Sequence, residues 1–261
     1  RPTNTASGDY SIASGYQSEA SGDYSTAMGL GASAAGNLST AMGSNSAASG
    51  DYTTAIGTGN SATGDYSISI GNDNTTAEGE FSLAMGIGTL ASGNYSTTMG
   101  YYTTASGIYS TSMGEGTTAS GEGSTATGLG SIANGGYSTA MGANTTASGF
   151  ASTALGQDTT ASGTYSTAMG INTTATQQGS VAMGADTVAD GQEASAFGRA
   201  TLASGAISTA MGLGTTASAN YSTATGYNTT ASGVASTVMG DNMMEDATVI
   251  EEMLKLISNG R

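Results

Sequence analysis

Small polar and small apolar residues alternate along this chain in runs of about five, and each run ends at glycine. Alternation with period two is the strand signal, here at its shortest workable length. The glycines return every seven residues. Gly128, Gly142, Gly156, Gly170, Gly184, Gly198, Gly212, Gly226 and Gly240 are spaced by 14, and Gly93, Gly107, Gly121, Gly135, Gly149 and Gly163 belong to a second series midway between. One unit is A-S-G-x-Y-S-T-A-M-G-x-x-T-T. A period this short and regular predicts a solenoid in which each unit is one coil stacked on the last. The expected fold is an all-β parallel β-roll of about 17 coils over residues 1–240, with 14 residues and two short strands per coil. At roughly 4.8 Å per coil it would be about 80 Å long. From Gly71 to Gly79 the step is eight residues, so Asn72-Asp73-Asn74 carries an inserted residue. Gln177 and Ala219 replace turn glycines. All three are read as tolerated corner variation.

The columns of the repeat say which way each position points. Take Tyr137–Gly142 as one strand and Asn144–Gly149 as the other. The Ala147 column is Ala in all 17 repeats, and the Ala140 and Ser138 columns hold only small residues. That size limit suits a narrow gap between two sheets. The opposite face of the first strand carries Met28, Met42, Ile56, Ile70, Met85, Met99, Met113, Met141, Leu155, Met169, Met183, Phe197, Met211 and Met239. The outer columns of the second strand admit Glu19, Glu78, Asn134 and Asp190, so that face is wet. An apolar stripe along the whole roll implies burial against a partner, and identical copies are the simplest choice. Period two also permits the reverse, with Met141 inside and Ala140 toward the partner. The wet second face favours Ala inside.

After Gly240 the pattern changes. Apolar residues at 243, 247, 250, 253, 254 and 257 have helical spacing, with acids leading and Lys255 trailing. Residues 241–261 are expected to be a short neck-like helical segment or the start of a coiled coil.

Composition removes most chemistry. His, Cys and Trp are absent, only 9% of residues are charged, and the net charge is −15. Low-complexity disorder would give irregular polar tracts, whereas size and polarity stay in register here. Without His or Cys, the common triads and zinc sites are excluded, and no enzyme is expected. Nucleic acid and anionic membrane surfaces would repel the chain. No apolar run approaches the ~20 residues that span a bilayer. Arg at position 1, without a signal peptide, is what an excised piece of a longer protein would show.

Three features could still carry function. Asp9, Asp23, Asp51, Asp65 and Glu80 share one corner column. Stacked carboxylates there could share Ca²⁺, or simply make a solubilising edge; otherwise no cofactor is expected. Beside them Tyr10, Tyr24, Tyr52, Tyr66, Phe81, Tyr95 and Tyr109 form an aromatic ladder, suited to packing or to a receptor or sugar platform. Asp9, Asp23, Asp51, Asp65, Tyr24, Tyr52 and Tyr66 are the candidate binding edge. The Thr146 column, largely Thr, raises ice binding, but Glu19, Leu90, Ile132, Val188 and Leu202 interrupt it.

Ser180-Val181-Ala182-Met183-Gly184 resembles the S-V-A-I-G strand of the YadA-like head repeat of trimeric autotransporter adhesins and related surface or viral fibres. Ser67–Gly71 and Ser138–Gly142 are looser versions, and the likeness covers residues 5 to 240. The resemblance implies a left-handed roll, three chains side by side, and a head followed by a neck and stalk. It further implies an extracellular, cell-surface or virion-surface fibre that presents binding surface to a host cell or matrix receptor. A viral or phage tail-fibre shaft is the alternative.

Overall fold

The computed structural model describes residues 3–241 and the backbone of strand Met244–Glu245. The fold is an all-β parallel solenoid of about seventeen coils, with no helix among the described residues. The chain forms two compact units, Arg1–Tyr137 and Ser138–Arg261. In the first, five-residue strands run from Ile12–Tyr16 to Thr125–Leu129 and two-residue strands from Thr5–Ala6 to Ile132–Ala133. In the second, they run from Thr139–Ala143 to Thr237–Asp241 and from Thr146–Ala147 to Met244–Glu245.

Each strand pairs in parallel with its equivalent one coil on. In the first unit Met28 lies on Met42 and Gly29 on Gly43. In the second Ala140 lies on Ala154 and Met141 on Leu155. Met244–Glu245 pairs with Thr230–Ala231, so the second sheet continues past Gly240 for one more rung. The rest of the helix expected over 241–261 lies outside the described residues.

The interior is as narrow as the columns require. Ala140 and Ala147 are fully buried, as are the alanines equivalent to them from Ala20 to Ala231. Between them stand mostly hydroxyls: Ser138 and Thr145 are buried, as are most of their equivalents between Ser18 and Thr229. The largest fully buried side chain is Asn60. A gap whose largest buried side chains are Thr, Asn and, in the last coil, Val238 explains the absence of large apolar residues from the core. Several hydroxyls tie the interior to the backbone. Thr53 Oγ1 donates to the Gly50 carbonyl at 2.6 Å, and Ser46 Oγ lies 2.9 Å from that of Gly57.

The strands are shorter than the sequence suggests. The first begins at Thr139, and Tyr137 sits before it in a turn at φ +56°. The second is only Thr146–Ala147. The corners also divide their labour differently. The left-handed residues are those of the Tyr137 and Asn144 columns, at φ near +55°. Gly142 is inside the long strand at φ +136°, and a Cβ there would sit 1.8 Å from the Gly156 carbonyl oxygen. Gly149 needs no positive φ. It is glycine because a Cβ would lie 2.0 Å from the Gly163 oxygen. In most coils the amide of this glycine also donates to an alanine carbonyl one coil on, as Gly149 does to Ala161 at 3.3 Å. Gln177 and Ala219, which do carry a Cβ there, do not make that bond.

The inserted residue is confined to its corner. Ile68–Asn72 and Ser61–Ala62 pair with strands 15 residues on rather than 14. Asp73 and Asn74 both take left-handed backbone, at φ +53° and +61°, and absorb the extra residue between them. The Ala62 and Ala77 columns stay aligned.

Candidate functional site

Because the interior is filled by small side chains, anything this roll recognises must meet its outside. The long strands turn the Thr139 and Met141 columns outward. Met141 is 45% exposed, and Met28, Met42, Met85, Met99, Met211 and Met239 are exposed as well. Ile56, Ile70, Met113, Leu155, Met169, Met183 and Phe197 are half-buried in the same stripe. Register stacks them directly: Met85 on Met99 on Met113 in the first unit, and Met169 on Met183 on Phe197 in the second. This settles the facing of the strand, with alanine inside and methionine outside. The short strands present Thr146-type residues half-buried, and Glu19 and Glu78 lie exposed on that side.

The acidic column of the first unit has a backbone task that the sequence did not reveal. Asp23 Oδ1 accepts the amide of Asp9 at 2.9 Å, Asn37 Oδ1 that of Asp23 at 3.0 Å, and Asp65 Oδ1 that of Asp51 at 2.9 Å. Each short side chain reaches back one coil and caps a turn amide. Asp and Asn serve equally because both offer an oxygen acceptor at the same reach. Among the described residues, no group of three or more His, Cys, Asp or Glu converges as a metal site.

The aromatic column occupies the next turn position, where φ is positive. Bulky residues rarely adopt that conformation. Rings stack coil on coil in compensation. Tyr52–Tyr66, Tyr66–Phe81, Phe81–Tyr95 and Tyr95–Tyr109 have centroids 4.7, 4.6, 5.2 and 5.0 Å apart and planes within 18° of parallel. Tyr10 and Tyr24 form a separate pair at 5.0 Å. All are exposed to solvent. The stack therefore lies at the corner with its ring faces largely turned on one another. Further along, Tyr137 donates its phenol to Glu122 Oε1 at 2.9 Å. That bond, then the Glu122 charge, raises the phenol pKa.

Side-chain ladders also run along the other corner. Asn144 Nδ2 donates to Asp158 Oδ1 at 3.2 Å, and Asn172 Nδ2 to Asp186 Oδ1 at 2.8 Å. The spacing of 14 was the signal for these pairs, since it places every corner side chain beside its equivalent.

No curated protein matches the chain. The family model described as YadA head domain repeat (2 copies) matches it eleven times, from residues 6–32 to 217–242. The matches 48–74 and 77–103 leave out 75–76, directly after the inserted residue. The matched residues are those whose alanine, hydroxyl and glycine columns build the coil, and on them the chain belongs to the YadA head domain repeat family.

Proposed function

We propose that this chain forms the head-type segment of a homotrimeric fibre displayed on a cell or virion surface, where it is non-enzymatic and presents binding surface. The single observation that carries the reading is the methionine stripe. It is outward, register-stacked within each unit and too apolar to face water over such a length. Three identical copies would cover it by closed symmetry, which also fits a family of trimeric adhesin-like fibres. The outer corners, with their acids and aromatic rings, then remain free for a receptor on a host cell or in a matrix.

The test has two parts. Sedimentation equilibrium should give a mass three times that of the 261-residue chain. Antibody against the purified roll should label intact cells or virions that carry the full gene, and deletion of the roll should reduce attachment to cell or matrix layers. A folded monomer would overturn the trimer. Surface labelling without any loss of attachment would leave a spacer shaft as the function.

A further inference from the structure

We infer that the acid–aromatic edge of the first unit is a docking strip for an extended lysine- or arginine-rich polypeptide segment. The inference rests on the reading that the roll's outer corners present binding surface.

The first argument is that the fold does not require this edge. In the second unit the same left-handed turn is made by Ala151, Gly179, Glu193, Ile207 and Ala235, at φ between +51° and +65°, and by only two rings, Tyr165 and Tyr221. The preceding column there holds Phe150, Thr164, Gln178, Gln192 and Ala206 and has no acid. Five of these seven second-unit positions make the turn without a ring, so a continuous stack of rings beside a row of acids is a feature of the first unit rather than of the coil.

The second argument is charge. No Lys or Arg occurs between Arg1 and Arg199. Asp51, Asp65 and Glu80 consequently have no basic side chain from their own unit's described residues to pair with. Each of the two aspartates uses Oδ1 on a backbone amide and keeps Oδ2 for solvent or a ligand. The amide bonds hold Asp51 and Asp65 one per coil, with Glu80 next in the same column, so a flexible basic chain meets several acids at once and gains from multivalency.

The third argument concerns the rings. Stacked faces are poorly placed to hold a sugar. Their outer borders make an apolar wall beside the acids, against which the methylene stems of Lys or Arg can lie while the charged heads reach the carboxylates. A second copy of the chain would bring acid against acid, so self-association does not suit this strip.

The experiment is fluorescence anisotropy of labelled nona-arginine with the full chain, at low and at elevated salt. Saturable binding is expected. The triple variant D51N/D65N/E80Q should weaken it roughly tenfold, with the turn caps at 51 and 65 preserved because Asn37 already makes one. Y52A/Y66A/Y95A should weaken it severalfold with all acids retained. A control triple in the second unit, D158N/D186N/E193Q, should change affinity by less than about twofold. Circular dichroism confirms that each variant is folded. Equal losses in the two acidic triples would reduce the effect to diffuse attraction by net charge and overturn the proposal. Unchanged binding in D51N/D65N/E80Q would overturn it as well. Failure of surface labelling would remove the fibre reading without altering this titration, so the two fail separately.

Discussion

Asp51 Oδ1 accepts the main-chain amide of Asn37 at 2.8 Å, one coil away, and so makes an acidic side chain part of the turn that precedes it. The bond depends on an oxygen at the right reach and not on charge. Asp51→Asn should therefore leave the melting temperature nearly unchanged, whereas Asp51→Ala should cost about 1 kcal/mol for the lost bond. Thermal unfolding followed by circular dichroism separates the two. Equal destabilisation by both would show that charge, not the amide cap, matters at this corner.

Two glycine substitutions should differ sharply. Gly100 lies in the long strand at φ +128°, with the Gly114 oxygen 2.0 Å from any added Cβ. Gly100→Ala should cost more than about 4 kcal/mol, through backbone strain and a collision with backbone that cannot step aside. Gly116 is left-handed at φ +60° with open space around it, and Ala200 occupies the same column at φ +52°. Gly116→Ala should cost only about 1 kcal/mol. Urea titration measures both.

Asn60 fills an interior position that is Thr or Ser in most other coils. Its Nδ2 donates to the Gly71 carbonyl at 2.8 Å and to that of Ile56, while its buried Oδ1 has no partner. Asn60→Thr should remove the orphaned acceptor and keep a donor, as Thr75 does toward Gly86 at 3.0 Å. A gain of about 1 kcal/mol is expected. A clear loss would mean that the amide fills space a Thr cannot.

The coil was legible in the sequence because a solenoid repeats its constraints. Ala147 is invariant since each copy faces the same narrow gap, whereas period two alone allowed the Met141 column to face either way, and the buried Ala140 column is what places it outward. The corners were harder. Tyr137 sits at a left-handed position that residue preferences assign to Gly or Asn, so a strand starting there was the natural expectation. For its equivalents Tyr52, Tyr66, Phe81 and Tyr95 the conformation becomes understandable only with the stacked ring of the next coil. The acids suggested a solvated edge or a cation site, and neither idea anticipates a side chain that caps the coil before it. Contacts between coils fix these details, and no single repeat displays them.

The methionine stripe should fail as a unit. Changing Met141, Met169 and Met183 to Asp puts three charges on the face proposed to lie between copies, leaving each roll's alanine interior untouched. Sedimentation should then show monomers that keep the circular dichroism of the parent. An unaltered trimer would place the interface on another face.

Tyr137 offers a pH signature. Its phenol is raised above the ordinary 10.0 by the hydrogen bond to Glu122 and by that carboxylate's charge. The neutral phenol is the stabilised form. Its contribution is present below the unfolded titration and is lost as pH rises through the folded value. Glu122→Gln should lower the folded pKa toward 10.0, read from the phenol carbon in NMR. No movement would detach the shift from Glu122.

The extra residue at Asp73–Asn74 bears on how such a chain can change over time. A length change inside either strand would rotate every later side chain to the wrong face, so it would be purged. At this corner the alanine columns on both sides stay aligned despite the addition. Corners are thus the places where insertion is neutral to the frame. A lineage can lengthen a loop there, and a protein engineer can splice a foreign epitope there, without recomposing the coils that follow.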